Sequence, residues 1–217
     1  MNKITHAAAK KVFSGVVDYA LGQVNKNPDE AYEKIIDIAE KNMKDLQTDV
    51  NWEYIRKVAC NPEYTLNRYI TSMVKELHPN VLKTTLMNLG FEAFYNGTKT
   101  IREMRKIHNC NIPWIILMDP TSACNLHCTG CWAAEYGNKL NLSFDDMDSI
   151  VTQGKELGIY FYMMTGGEPM VRKKDIIELC RKHNDCVFFA YTNGTLVDEA
   201  LCKQMQDCLL YTSDAAD

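Results

Sequence analysis

Three cysteines stand together in Cys124-Asn125-Leu126-His127-Cys128-Thr129-Gly130-Cys131-Trp132, with three residues and then two between them. Thiolates suit soft metals and iron–sulfur clusters. A cubane has four irons and this loop supplies three thiolates. One iron is therefore left open, which chemistry at a cluster requires. The same three cysteines with His127 could instead form a closed zinc site. The other six, Cys60, Cys110, Cys180, Cys186, Cys202 and Cys208, are scattered and read as small buried hydrophobes. The total of nine is odd, and Met1-Asn2-Lys3-Ile4-Thr5-His6 opens no apolar leader, so a secreted disulfide framework is not expected. Two further segments have the chemistry of ligand-binding turns, Thr165-Gly166-Gly167-Glu168-Pro169 and Tyr191-Thr192-Asn193-Gly194. Taken singly, each also reads as an ordinary turn, with Glu168 as a helix-start acid.

The surrounding pattern says what holds these segments. Trp114 to Met118, Ile159 to Met164 and Val187 to Tyr191 are short apolar runs that suit buried strands, and each runs directly into one of the special segments. Helices are predicted between and after them: from Ser143-Phe144-Asp145-Asp146, a capping-box pattern, to about Gly158; over Asp175 to His183; and over Asp198 to Cys208. Strand–helix alternation repeated three times implies parallel strands with right-handed crossovers, and a site at their carboxyl ends. Arg172-Lys173-Lys174 reads as a solvated helix start.

Residues 1–110 read as a helical region. Asn27-Pro28-Asp29-Glu30 combines a capping residue, a first-turn proline and two acids, and Asn61-Pro62-Glu63 repeats the signal. His78-Pro79 marks a helix boundary. Val81 to Tyr95 is predicted as a helix closed by Asn96-Gly97, followed by a short one from Lys99 to Ile107.

With those elements placed, the cysteine loop resembles the cluster-binding loop of radical S-adenosylmethionine (radical SAM) enzymes. Gly166-Gly167-Glu168-Pro169 is similar to that family's GGEP segment, and Thr192-Asn193-Gly194 to its T-N-G segment. The resemblance covers about residues 112–208. It implies an α/β fold: a helical N-terminal region over residues 1–110, then over 111–208 the first three βα units of a partial (β/α)6 barrel, truncated. It further implies a [4Fe-4S] cluster on Cys124, Cys128 and Cys131. S-adenosyl-L-methionine would bind at Gly166, Gly167, Glu168, Pro169, Thr192, Asn193 and Gly194. Reductive cleavage would give a 5′-deoxyadenosyl radical for hydrogen abstraction from a small-molecule or peptide substrate. Flavodoxin or ferredoxin would donate the electron. Glu168 would accept from the ammonium of the methionine moiety, and the two glycines would let backbone approach the ligand. One departure is Gly130, where the family commonly has an aromatic, with Trp132 following instead.

The chain has 217 residues, 46% hydrophobic and 24% charged, which excludes a disordered or collagen-like chain. Residues 1–110 carry 16 Lys+Arg against 13 Asp+Glu, and the remainder 8 against 15, so no basic stripe for nucleic acid is present. The longest apolar run, residues 112–118, falls far short of the ~20 residues of a membrane span. A cytoplasmic enzyme is expected, of which the chain is an N-terminal fragment, with residues 209–217 a non-native tail of the kind translated from sequencing adapters. The alternative reading is a non-catalytic metal-binding module, zinc or electron-transfer iron–sulfur.

Overall fold

The computed structural model describes residues 3–24, 28–43, 50–77, 79–137, 139–208 and 210–214. It divides into two compact units, residues 1–91 and 92–217.

The first unit is helical: α1 (Lys3–Val24), α2 (Pro28–Met43), α3 (Trp52–Ala59), α4 (Thr65–Glu76) and α5 (Pro79–Thr85). Helix α2 begins on its first-turn proline, as read; the capping Asn27 lies outside the described residues. The second signal behaves differently. Asn61 folds an Asx turn, its Oδ1 accepting from the Glu63 N–H at 3.0 Å, and α4 starts only at Thr65. A side-chain acceptor two residues on competes with helix initiation. Ala31 and Tyr32 of α2 are buried with Ile35, Cys60, Ile70 and Val74 around them. Asn67, also buried, satisfies its amide on the Ala59 carbonyl at 2.6 Å.

Asn96-Gly97 does not close a helix. Leu86–Gly97 is a π-helix that runs straight into α6 (Thr98–His108). Asn96 turns inward instead, donating to Glu92 and to the Tyr160 hydroxyl, both at 3.5 Å. A Cβ on Gly97 would meet the Gly158 carbonyl oxygen at 2.5 Å, so the glycine serves close packing rather than termination. The division between units also falls before α6, not at residue 110, because Ile101 and Met104 of α6 belong to the core under the sheet.

That sheet is built from β1 (Ile115–Thr121), β2 (Phe161–Gly166), β3 (Val187–Thr192) and β4 (Leu210–Asp214), in that spatial order and all parallel. Helices α7 (Phe144–Glu156), α8 (Lys173–Lys182) and α9 (Glu199–Cys208) make the crossovers. The α/β class and strand–helix alternation are as expected, but the described residues form four strands rather than three. The tail supplies the fourth, with Phe188 opposite Leu210 and Thr192 opposite Asp214. Its backbone satisfies the edge of β3, whose hydrogen-bonding groups would otherwise face water.

One face of the sheet is packed. Tyr162, Met164, Phe188 and Ala190 are buried against Met147, Val151, Ile176, Leu179 and Leu201 of the helices. On the other face Val187 is still buried, while Leu117 is 59% exposed. No helix among the described residues is long and apolar enough to cross a membrane.

Candidate functional site

All the special segments meet at the carboxyl ends of β1, β2 and β3. The cysteine loop leaves β1, which runs three residues past its apolar stretch to Thr121. The loop is pinned at its neck. Ser122 N–H donates to the Leu140 carbonyl at 2.8 Å, Leu142 N–H to Pro120 at 3.1 Å, and Thr121 forms an antiparallel bridge with Asn141. Arg172 clamps both sides of that neck. Its guanidinium donates to the carbonyls of Pro120 at 3.2 Å and Leu142 at 2.8 Å, and its Nε to Asp175 at 2.6 Å. Arg172 is thus not a solvated helix start. Lys173 stays near the surface, donating to the Leu196 carbonyl and to Asp198.

Within the loop, Cys128-Thr129-Gly130-Cys131 is a tight turn closed by the Cys131 N–H on the Cys128 carbonyl at 3.3 Å. Gly130 sits at φ +77°, a conformation that side chains rarely adopt. This accounts for a glycine where the family has an aromatic. The Leu126 N–H donates to the Cys124 sulfur at 3.4 Å. Cys124, Cys128 and Cys131 are all free thiols, Cys128 exposed and the other two half-buried. Among the described residues no three His, Cys, Asp or Glu side chains stand close enough to hold a metal ion. His127 is exposed. Trp132 and Tyr136 meet edge to face at 6.1 Å and remain exposed.

The glycines of Gly166-Gly167-Glu168-Pro169 press against this loop. Gly166 has φ +106°, and a Cβ there would meet the Thr121 carbonyl oxygen at 2.6 Å. A Cβ on Gly167 would run into the Ala123 carbonyl. Gly167 N–H donates to Thr121 at 2.9 Å and Glu168 N–H to Ala123 at 2.8 Å. The pair therefore brings the end of β2 against the backbone leading into Cys124.

Glu168 is 1% exposed, and its carboxylate is taken up internally. Oε1 accepts from the Met170 N–H at 2.8 Å and the Thr192 hydroxyl at 2.6 Å; Oε2 accepts from the Asn193 N–H at 2.7 Å. It caps the short 3-10 turn Pro169–Arg172 and fixes the end of β3 in one stroke. Pro169 starts that turn and is buried. The Thr192 hydroxyl also accepts from the Gly194 N–H at 3.1 Å.

A ring of three side chains ties the β3 segment to the cysteine loop. Asn193 Nδ2 donates to Asn125 Oδ1 at 3.0 Å, Asn125 Nδ2 to Thr195 Oγ1 at 2.7 Å, and Thr195 Oγ1 to Asn193 Oδ1 at 2.7 Å. Asn125, Thr195 and Arg172 carry the assembly, and sequence reasoning assigned none of them this part. The sole signal was the position of Asn125 between two cysteines.

Residues 118–211 match the family described as the Radical SAM superfamily. The AdoMet-dependent heme synthase of Methanosarcina barkeri (strain Fusaro / DSM 804) is 29% identical over 101 residues, 44% of this chain and 28% of that protein. The chain therefore aligns with less than a third of that relative's length. No solved structure gives a significant match.

Proposed function

Because residues 118–211 belong to the radical SAM superfamily, we propose that this chain carries the cluster-binding half of an enzyme that cleaves S-adenosylmethionine and abstracts hydrogen from a substrate. The observation that supports it best is the joining of the cysteine loop, Gly-Gly-Glu-Pro and Thr-Asn-Gly by hydrogen bonds at the ends of three adjacent parallel strands. A closed zinc site has no use for the last two.

The donor set fits a [4Fe-4S] cluster. Three free thiols lie on one loop, with a backbone N–H already aimed at the Cys124 sulfur. Cys124, Cys128 and Cys131 would hold three irons, and their drawing together would accompany metal binding, because ligand loops order around the ion. The cluster and S-adenosylmethionine together supply, when bound, the reductive cleavage to a 5′-deoxyadenosyl radical. The protein's own work is placement. Gly166 and Gly167 fix the end of β2 against Ala123, and Glu168 holds Thr192 and Asn193 from beneath. Thr192-Asn193-Gly194 then lies beside the cysteine loop, and with Gly166 and Gly167 it would hold S-adenosylmethionine. Pro169 holds the turn that keeps Glu168 buried. Flavodoxin or ferredoxin is the fitting class of electron donor, and the sheet's open face forms part of the wall around the substrate, a small molecule or peptide.

The test is anaerobic reconstitution with iron and sulfide. The expected result is about four irons per chain, a brown chromophore, and 5′-deoxyadenosine on addition of S-adenosylmethionine and dithionite. Colourless zinc uptake in place of iron would establish the metal-module alternative.

A further inference from the structure

The open face of the sheet is ordered in rows. Strand register sets Ile115 beside Phe161 and Val187, and then Leu117 beside Met163 and Phe189. The lower end is closed by an aromatic stack, Phe94 on Trp114 at 4.9 Å and Trp114 edge-on to Phe161 at 5.4 Å. Above Leu117, Met163 and Phe189 the character changes. Met118 pairs with Met164 and Thr121 with Gly166, so Asp119 and Pro120 together oppose Thr165 alone. This is a β-bulge, a device that re-aims a side chain beside a site. It leaves Asp119 exposed, its Cβ 3.0 Å from where a Cβ of Gly166 would stand. Tyr191 follows the paired Ala190 and packs edge-on to Phe189 at 5.2 Å.

Asp119 is the one charged side chain that β1, β2 and β3 place on this face, and among the described residues no cation or hydrogen-bond donor meets its carboxylate. Partial withdrawal from water beside apolar neighbours pushes its pKa above the ordinary carboxylate value. The polar groups around Glu168 are by contrast paired: Glu168, Thr192, Asn193 and Asn125 spend their groups on one another. An unmatched carboxylate above an apolar floor is complementary to a cation with an apolar body.

We infer that Asp119 is a specificity-determining residue that receives the protonated amine of an amphipathic substrate, whose apolar part lies over Leu117, Met163 and Phe189. The inference rests on the proposed function for taking this face as the reaction chamber. S-adenosylmethionine also carries an ammonium, but its polar body has no use for the apolar floor.

The experiment titrates the purified chain, without cluster, with octylammonium and with octanoate below their micelle concentrations, followed by calorimetry. Octylammonium is expected to bind at least about tenfold more tightly than octanoate, a margin of about 1.4 kcal/mol. Asp119→Asn should remove that margin, and Asp119→Lys should reverse it. Equal binding of the two ions to the wild type, or an unchanged preference in both variants, overturns the inference. In a second arm the reconstituted protein is titrated with S-adenosylmethionine, and Asp119→Asn should leave that affinity unchanged. A tenfold loss there would assign Asp119 to the cofactor's ammonium and overturn the substrate role. Failure of the wild type to take up a cluster would sink the proposed function while leaving the octylammonium result standing.

Discussion

The Asn193 side-chain amide donates to Asn125 Oδ1 at 3.0 Å, joining residues 68 apart in the chain. Asn125 directly follows the first cysteine, so a residue of the third strand's loop grips the cysteine loop itself. Replacing Asn125 by Ala removes both of its links in the ring. Amide hydrogen exchange over residues 124–131 should quicken about fivefold or more, in keeping with ~1 kcal/mol for lost hydrogen bonds, while the strands keep their protection. Unchanged exchange in the loop would show that the ring holds nothing.

Iron content should separate the cysteines. Cys124→Ser, Cys128→Ser and Cys131→Ser should each lose nearly all cluster after anaerobic reconstitution. Cys110→Ser and Cys202→Ser, which replace exposed thiols elsewhere, should retain it. Loss of iron in either of the latter would move the ligand set.

Glu168→Gln tests the buried carboxylate. One oxygen becomes an NH2 group, which cannot accept, and it would face either the Asn193 N–H or the pair of donors on Oε1. A buried donor left against a donor costs about 1–3 kcal/mol. The unfolding midpoint should fall accordingly even without cluster or S-adenosylmethionine. A variant as stable as the wild type would show that these hydrogen bonds do not hold the turn.

The three motifs and the strands that carry them were legible because cysteine spacing, paired glycines and short apolar runs are local signals. Arg172 was not. Its partners are backbone carbonyls at Pro120 and Leu142, and no pattern in Arg172-Lys173-Lys174 tells which side chain will find them. The same holds for Asn96-Gly97, a stop signal by composition that packing against Gly158 converts into a continuing π-helix. The fourth strand was missed because its pairing is entirely with β3, and five residues carry little periodicity of their own.

Arg172→Met removes the clamp but keeps much of the side chain's bulk. Two carbonyls and Asp175 lose their donor, so the folded state should weaken by about 1–2 kcal/mol. The neck amides of Ser122, Leu140 and Leu142 should lose exchange protection together. Arg172→Lys should rescue only part, because an ammonium lacks the fork whose Nη1 reaches the two carbonyls while its Nε holds Asp175.

Asp119 gives the stability a pH signature. Its carboxyl titrates above the ordinary value because the folded chain disfavours its charge. Folding is therefore penalised once pH exceeds the ordinary carboxylate range, and the penalty is absent in acid, below about pH 3. Asp119→Asn should raise the unfolding midpoint slightly at neutral pH, with no difference in acid. A fall at neutral pH would mean that the carboxylate is matched by a partner in the folded chain.

The ring has a consequence for synthesis. Asn125 and Thr195 are 70 residues apart, so the ring cannot close until that much more chain has been made. At about 5–20 residues per second, this takes on the order of 4–14 s. Through that interval the three thiols ride on a loop without the grip of the segment that follows β3. Their exposure to oxidants and to adventitious metal is therefore greatest on the ribosome, before the sheet that positions them exists.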